Sequence, residues 1–201
     1  MVNVNPLRVL IVDDEPAILR FLRTGLTAQG FVVSEAETGR SALDNVRRGG
    51  TDLIVLDLGL PDMDGLDVIR QVRAGGSAVP VIVLSSRDDE AGKVTALDLG
   101  ADDFVTKPFG IDELFARIRA AQRHRLQQEG EKPVFRSGDL VVDLVRRIVT
   151  VRGAEVKFSR REYDLLRLLV AHAGKVLTHR HILHEVWGSE TDVQYLRIYI
   201  K

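Results

Sequence analysis

Short apolar runs alternate with amphipathic stretches through the first 125 or so residues. Runs at 7–12, 31–35, 53–56, 80–84 and 104–106 are rich in β-branched residues. That composition, without polar alternation, predicts strands buried on both faces. Between them the apolar period changes to that of a helix. In 15–29, Ile18, Leu19, Leu22 and Leu26 share a face, and Gly30 follows as a C′ residue. Further helices are predicted at 40–48, closed by Gly49-Gly50, and at 66–73, after the turn chemistry of Leu60-Pro61-Asp62-Met63-Asp64-Gly65. Two more fall at 90–99, stopped by Gly100, and at 112–126.

Five such strand–helix units predict an α/β fold, a doubly wound parallel sheet of flavodoxin-like order. The polar stretch 126–133, with Gly130 and Pro133, reads as a linker. Phe135, 140–142, 148–151 and 156–158 then form short strands, with tight turns at Ser137-Gly138 and Arg152-Gly153. That spacing predicts an antiparallel meander. Ser159 and Glu162 form a capping box opening a helix at 160–173, whose core face is Leu165, Leu166, Leu168 and Leu169. Thr178 caps a second helix reaching about Val186, and Asp192 a third beginning at Val193, with Leu196 and Ile200 one turn apart. Three helices in this order suit a helix-turn-helix reader in an α+β domain. The expected organisation is a first domain at 1–125, a linker at 126–133 and a second domain at 134–201.

The overall net charge of −1 conceals an asymmetry. Residues 1–124 carry 14 basic and 19 acidic side chains; residues 134–201 carry 12 basic and 8 acidic. The basic half makes nucleic acid a candidate partner. The chain has no cysteine, which excludes disulfides and thiolate metal sites. No apolar stretch is long enough to span a membrane and no signal peptide opens the chain, so a cytoplasmic location is expected.

The candidate chemistry lies where the predicted strands end. The first runs into Asp13-Asp14, the third into Asp57 and the fifth into Lys107-Pro108. Open α/β sheets carry their sites at the carboxyl ends of the strands. Three carboxylates and an ammonium would therefore meet at one edge. Carboxylates this close repel unless a cation lies between them, and oxygen donors suit Mg²⁺. Asp57 would attack phosphorus, and the metal and Lys107 would neutralise the phosphoryl oxygens. Ser85, ending the fourth strand, can donate to one of those oxygens. A Mg²⁺-dependent phosphohydrolase passing through an aspartyl phosphate is the enzymatic alternative. Gly59, two residues beyond Asp57, stands where such an enzyme would need an acid.

These residues carry a family resemblance. Residues 7–126 resemble the receiver domain of two-component response regulators, through Asp13-Asp14, Asp57 with Leu60-Pro61-Asp62-Met63-Asp64-Gly65, Ser85, Ala101-Asp102-Asp103 and Lys107-Pro108-Phe109. The resemblance implies phosphorylation on Asp57, Mg²⁺ held by Asp14, Asp57 and the Gly59 carbonyl, and Asp13 acting through water. It makes Ser85 and Phe104 a switch pair and the Lys107-Pro108 bond cis. It also implies a homodimer through the fourth helix, fifth strand and fifth helix, using Lys93, Asp102, Asp103, Glu113, Arg117 and Arg119. Lys93 would pair with Glu113, and Asp103 with Arg117, across the two-fold axis.

Ser159-Arg160-Arg161-Glu162-Tyr163-Asp164-Leu165-Leu166, Gly174-Lys175-Val176-Leu177-Thr178-His179 and Val186-Trp187-Gly188 resemble the winged-helix effector of the OmpR/PhoB subfamily. Phe21-Leu22-Arg23-Thr24, Asp57-Leu58-Gly59-Leu60-Pro61-Asp62, Phe109-Gly110-Ile111 and Tyr195-Leu196-Arg197-Ile198-Tyr199 are similar to the branch that regulates potassium-transport operons. Lys175 and Arg180 are candidate DNA-phosphate contacts. Tyr195, Arg197 and Tyr199 lie on the candidate recognition helix, whereas Leu183, Val186 and Trp187 read as core. The implied partners are a membrane-bound sensor histidine kinase, promoter DNA, a second copy of the chain and RNA polymerase. The chain as written ends at Lys201, inside the expected recognition helix and without the family's C-terminal hairpin. This leaves open a second expectation, a receiver that does not bind DNA and competes for the kinase or dimerises.

Overall fold

A computed structural model of the chain describes residues 6–86, 90–188 and 193–200, in two compact units that meet in sequence between Gln128 and Glu129. In the first, β1 (Arg8–Val12), β2 (Val32–Ala36), β3 (Leu53–Asp57), β4 (Val81–Ser85) and β5 (Asp103–Thr106) form a parallel sheet in the order β2-β1-β3-β4-β5. The helices α1 (Pro16–Ala28), α2 (Gly39–Arg48), α3 (Gly65–Ala74), α4 (Glu90–Asp98) and α5 (Ile111–Gln128) connect and follow the strands. This is the doubly wound α/β fold expected from the apolar runs.

Strand alternation sorts the core into two layers. Leu10, Val12, Ile54, Leu56, Val81 and Val83 join α2 and α3 residues such as Leu43, Val68 and Ile69. Val9, Ile11, Leu53, Val55, Ile82, Leu84 and Val105 meet α1 and α5 through Leu19, Leu22, Leu26, Leu114 and Ile118. A one-residue slip would send each set to the other layer, so burial of both faces holds the strand ends in register. Val12 pairs with Leu56, and Ser85 with Thr106. Asp13, Asp57 and Lys107 thereby reach the same edge.

The loops at that edge are pinned by side chains. Both Asp62 oxygens accept from the first amides of α2, Gly39 at 2.8 Å and Arg40 at 3.0 Å. Those bonds, with the Arg40 amide foremost, lower its pKa. Asp64 caps α3 by accepting from the Leu66 amide at 2.9 Å. A side chain at Gly65 would come within 2.6 Å of the Asp57 carbonyl and the Leu58 Cα, so α3 rests directly on the end of β3. At the other edge Arg73 donates to the carbonyls of Gly100, Ser77 and Val79 and to Asp102 at 2.7–3.0 Å.

Several boundaries differ from expectation. Gln127 and Gln128, read as linker, extend α5 beyond Leu126, which is buried. Glu129 and Glu131 are not loose either, because Arg167 donates to both, at 2.6 and 3.3 Å. In the second unit β6 (Val134–Ser137), β7 (Leu140–Asp143), β8 (Ile148–Val151) and β9 (Ala154–Val156) form the antiparallel meander. The last strand begins earlier than 156–158. Arg152 and Gly153 both take positive φ, 53° and 76°, which suits a two-residue hairpin and pairs Val151 with Ala154.

The helices α6 (Arg160–Ala171), α7 (His179–Trp187) and α8 (Val193–Tyr199) complete the unit. The Ser159–Glu162 capping box and the Thr178 cap are present. The Asp192 cap lies outside the described residues. Leu165 and Leu168 meet Ile182, Leu183, Val186 and Leu196 of α7 and α8. A different side of α6 buries Tyr163, whose ring lies under the Arg147 guanidinium at 5.8 Å. With α6 covered on those two sides, Leu169 falls between them and is exposed, correcting its place in the expected core. Among the described residues no helix is long and apolar enough to cross a membrane.

Arg73→Ala would strip three carbonyls and the half-buried Asp102 of their shared donor. A loss of about 2–4 kcal/mol in unfolding free energy is expected, as for other broken, largely desolvated charge networks. Urea unfolding of the first unit's signal measures it; a change under 0.5 kcal/mol would refute the role given to Arg73.

Candidate phosphoacceptor site

Asp13, fully buried, directly follows β1; its amide donates to the Ala36 carbonyl at 3.1 Å. Asp57 is the last residue of β3. Lys107 follows β5, its backbone amide donating to the Ser85 carbonyl at 2.7 Å, and its peptide bond to Pro108 is cis. The three side chains converge. Lys107 Nζ donates to Asp13 Oδ2 at 3.0 Å and to Asp57 Oδ1 at 2.6 Å. The Glu15 amide donates to Asp13 Oδ1 at 2.9 Å, and the Gly59 amide to Asp57 Oδ2 at 2.8 Å.

The electrostatics follow from burial. Desolvation raises the Asp13 pKa, and the Glu15 amide and Lys107 only partly offset it. Burial pulls the Lys107 ammonium down, but its bonds to Asp57 and Asp13 outweigh this and its pKa ends raised. The site is a bridged pair of carboxylates whose inner member still lacks full compensation.

Asp57 faces a cleft of about 440 Å³ that also receives Gly59, Asp64, Ser85, Ser86 and Lys107. The Ser85 hydroxyl is buried there and, among the described residues, has no hydrogen-bond partner. A buried hydroxyl without an acceptor is costly, and it marks a place where an acceptor is wanted. A side chain at Gly59 would lie 3.2 Å from Asp57 Oδ2, so this position keeps the carboxylate approachable.

The Lys107 ammonium lies between Asp13 and Asp57 and neutralises part of their charge. Asp14 is turned to solvent, and among the described residues no three acidic or imidazole groups converge in a metal-holding cluster. The donors nevertheless suit a hard cation. Asp13, Asp14 and Asp57 offer only oxygen, and desolvation disfavours the charged form of Asp13. Glu15 was overlooked in the sequence: its Oε1 is 3.8 Å from Lys107 Nζ, and the acidic run Asp13-Asp14-Glu15 was the available signal.

The expected dimer residues divide. Lys93 of α4, Asp103 of β5, and Glu113, Arg117 and Arg119 of α5 lie on the expected elements. Asp102 does not serve an outer face: its carboxylate turns inward to Arg73 at 3.0 Å and to the Val81 amide at 2.8 Å. Burial raises its pKa. Asp103 and Glu113 pair with Arg117 of the same chain. Val94 and Leu97 expose apolar surface on α4, which its weak periodicity concealed.

In the second unit Lys175, Arg180 and Arg197 are exposed, as a phosphate or groove contact requires. Tyr199 instead packs on Trp187, with ring centroids 5.3 Å apart, and belongs to the core rather than to an outer face. The side chain of Tyr195 lies outside the described residues.

The family model described as response regulator receiver domain matches residues 9–119, and that for transcriptional regulatory protein, C terminal, matches residues 146–201. The KDP operon transcriptional regulatory protein KdpE of Escherichia coli K12 is 49% identical over 194 residues, covering 96% of this chain and 86% of its own. The transcriptional regulatory protein KdpE of Mycobacterium tuberculosis H37Rv is 47% identical over 195 residues, with the same two coverages. Among solved structures, the response regulator DrrB, described as a Thermotoga maritima OmpR/PhoB homolog, matches with a TM-score of 0.52 at 28% identity, covering 98% of this chain and 87% of its own. A Francisella response regulator receiver domain matches 58% of this chain and 96% of its own, with a TM-score of 0.55 at 36% identity.

The raised Asp13 pKa carries a stability prediction. The folded chain holds that proton to higher pH than the unfolded chain, so this residue's contribution to stability falls as pH rises through the carboxylate range and stays unfavourable at neutral pH. In metal-free buffer at pH 7, Asp13→Asn should raise the melting temperature by a few degrees, and the gain should shrink towards pH 4. A lower melting temperature at pH 7 would contradict it.

Proposed function

The chain belongs to the OmpR/PhoB-type response regulators, which are two-component transcription factors rather than enzymes, and from that footing we propose that Asp57 is its phosphoacceptor. The donor is a histidine kinase bearing a phosphohistidine. One Asp57 carboxylate oxygen forms the new bond to phosphorus while the phosphorus–nitrogen bond breaks and the imidazole leaves. Lys107, already 2.6 Å from Asp57, would neutralise charge on the phosphoryl oxygens. The Ser85 hydroxyl would gain the acceptor it lacks. The observation that carries this reading is the unpartnered Ser85 hydroxyl in the same cleft as the bridged Asp57–Lys107 pair.

Asp13, Asp14, Asp57 and the Gly59 carbonyl would hold Mg²⁺, which when bound supplies charge neutralisation for phosphoryl transfer. Movement of Ser85 towards the phosphoryl group would open space on the α4 side of the sheet, where Phe104 packs against the same core layer as Val83. Phe104 and Ser85 would thereby act as the switch, with dimerisation through α4, β5 and α5. The dimer would bind promoter DNA, with Lys175, Arg180 and Arg197 as contacts, and recruit RNA polymerase. The kinase is proposed to be membrane-bound and this regulator cytoplasmic. Because two KdpE proteins, one of them a KDP operon regulator, are its relatives at 47–49% identity, the proposed targets are potassium-transport genes.

Label transfer from a small phosphodonor in the presence of Mg²⁺ tests the first step. Asp57→Asn should abolish uptake, and uptake at the unmodified rate would exclude Asp57 as acceptor. For the DNA step, Lys175→Ala and Arg180→Ala should each weaken binding to specific and random duplexes alike. Each should also lower the salt slope of log K by about 1. A loss confined to one sequence would instead make the residue a base reader.

A further inference from the structure

The ring of Phe104 is held between two cations. Lys93 Nζ, on α4, lies 5.5 Å from the ring centroid. The Arg117 guanidinium, on α5, lies 6.0 Å from it. A cation at this range of an aromatic face is attracted by the ring quadrupole, and guanidinium is well suited to the contact. The two arms come from the two helices flanking β5. The ring is therefore tied to both, not merely packed on the sheet.

Arg117 is committed further. Its Nη1 donates to both oxygens of Asp103, at 3.0 and 3.1 Å. Its Nε and Nη2 donate to Glu113 Oε1, at 3.1 and 2.9 Å. A single chain thus satisfies within itself Asp103, Glu113 and Arg117, and its Lys93 lies over the ring. These are the charges an isologous contact would have to recruit. They cannot stay fully engaged at home and also pair across a two-fold axis.

Resting on the switch and dimer readings above, we propose that Lys93 and Arg117 form a cation latch on Phe104 that opposes dimerisation. In the unphosphorylated chain the two cations hold the ring in its present place, and Asp103 and Glu113 hold Arg117 against it. In a dimer, carboxylates of the second copy compete for Lys93 and Arg117, and the ring loses both. Anything that withdraws the ring frees the cations for the partner. Anything that engages the cations frees the ring. Dimerisation and ring movement are then linked through shared residues, and the linkage runs equally in both directions.

The latch is tested by removing the aromatic face while keeping apolar bulk. The dimer dissociation constant of the full chain is measured by sedimentation equilibrium for the unsubstituted protein, Phe104→Leu and Phe104→Tyr, with and without beryllofluoride and Mg²⁺. Without beryllofluoride, Phe104→Leu should dimerise about fivefold more tightly than the unsubstituted protein, the loss of two half-buried cation–π contacts. Phe104→Tyr, which keeps the ring, should behave as the unsubstituted chain. With beryllofluoride the three should converge.

A spectroscopic readout stands apart from folding of the variants. The Lys93 ε-methylene protons of the unsubstituted chain should be shifted upfield by the ring current and return to ordinary positions with beryllofluoride. Equal dissociation constants for Phe104→Leu and the unsubstituted protein would overturn the latch, as would unshifted Lys93 resonances. Failure of the unsubstituted protein to dimerise with beryllofluoride would instead remove the dimer reading itself, and the latch with it.

Discussion

An ammonium between two carboxylates organises the first unit. Lys107, delivered by β5, bridges Asp13 from β1 and Asp57 from β3, so three strand ends meet through one cation. Asp13 is fully buried, which is tolerable only because this bridge and the Glu15 amide serve it, and even so its charged form is disfavoured. The site therefore sits in tension. A more highly charged cation is attracted to it, and a phosphoryl group on Asp57 would draw on the same lysine. Preorganised charge of this kind costs stability in the resting chain and is recovered when ligand arrives.

The rest of the sheet makes this bridge possible by keeping its strands in register. Burial on both faces forbids a slip, and the capping carboxylates of Asp62 and Asp64 fix the loop after Asp57. On the far side of β4 the same strategy recurs, with Arg73 gathering the carbonyls of Ser77, Val79 and Gly100 beside Asp102. Beside the bridge, Ser85 at the end of β4 has, among the described residues, no hydrogen-bond partner for its hydroxyl, while the neighbouring Phe104 ring of β5 is held by Lys93 and Arg117.

Much of this was legible in the chain. The five apolar runs, the helical stripe of Leu19, Leu22 and Leu26, the capping box at Ser159 and the Asp13, Asp57 and Lys107 positions are local patterns, each written in adjacent residues. The misses share a cause. Leu169 and Tyr199 were misplaced because the covered sides of a helix depend on what packs there: α6 is covered on two, and Tyr199 of α8 meets Trp187. Asp102 was read as an outer-face residue because its partner Arg73 is 29 residues away. The turn at Arg152-Gly153 was legible, but the strand after it starts at Ala154 rather than Val156, because its exposed residues pair through backbone register and carry no apolar signal.

The sequence by itself determined the strand–helix order, the parallel sheet and the residues that would gather at its carboxyl edge. These follow from hydrophobic period and strand alternation, which act over a few residues. Only the tertiary structure decided which charges meet. It placed the Lys107 ammonium between Asp13 and Asp57, turned Asp102 inward, and paired Asp103 and Glu113 with Arg117 of their own chain. Charge pairing is set by distances of a few ångströms between atoms far apart in sequence, and burial, not composition, fixes its strength.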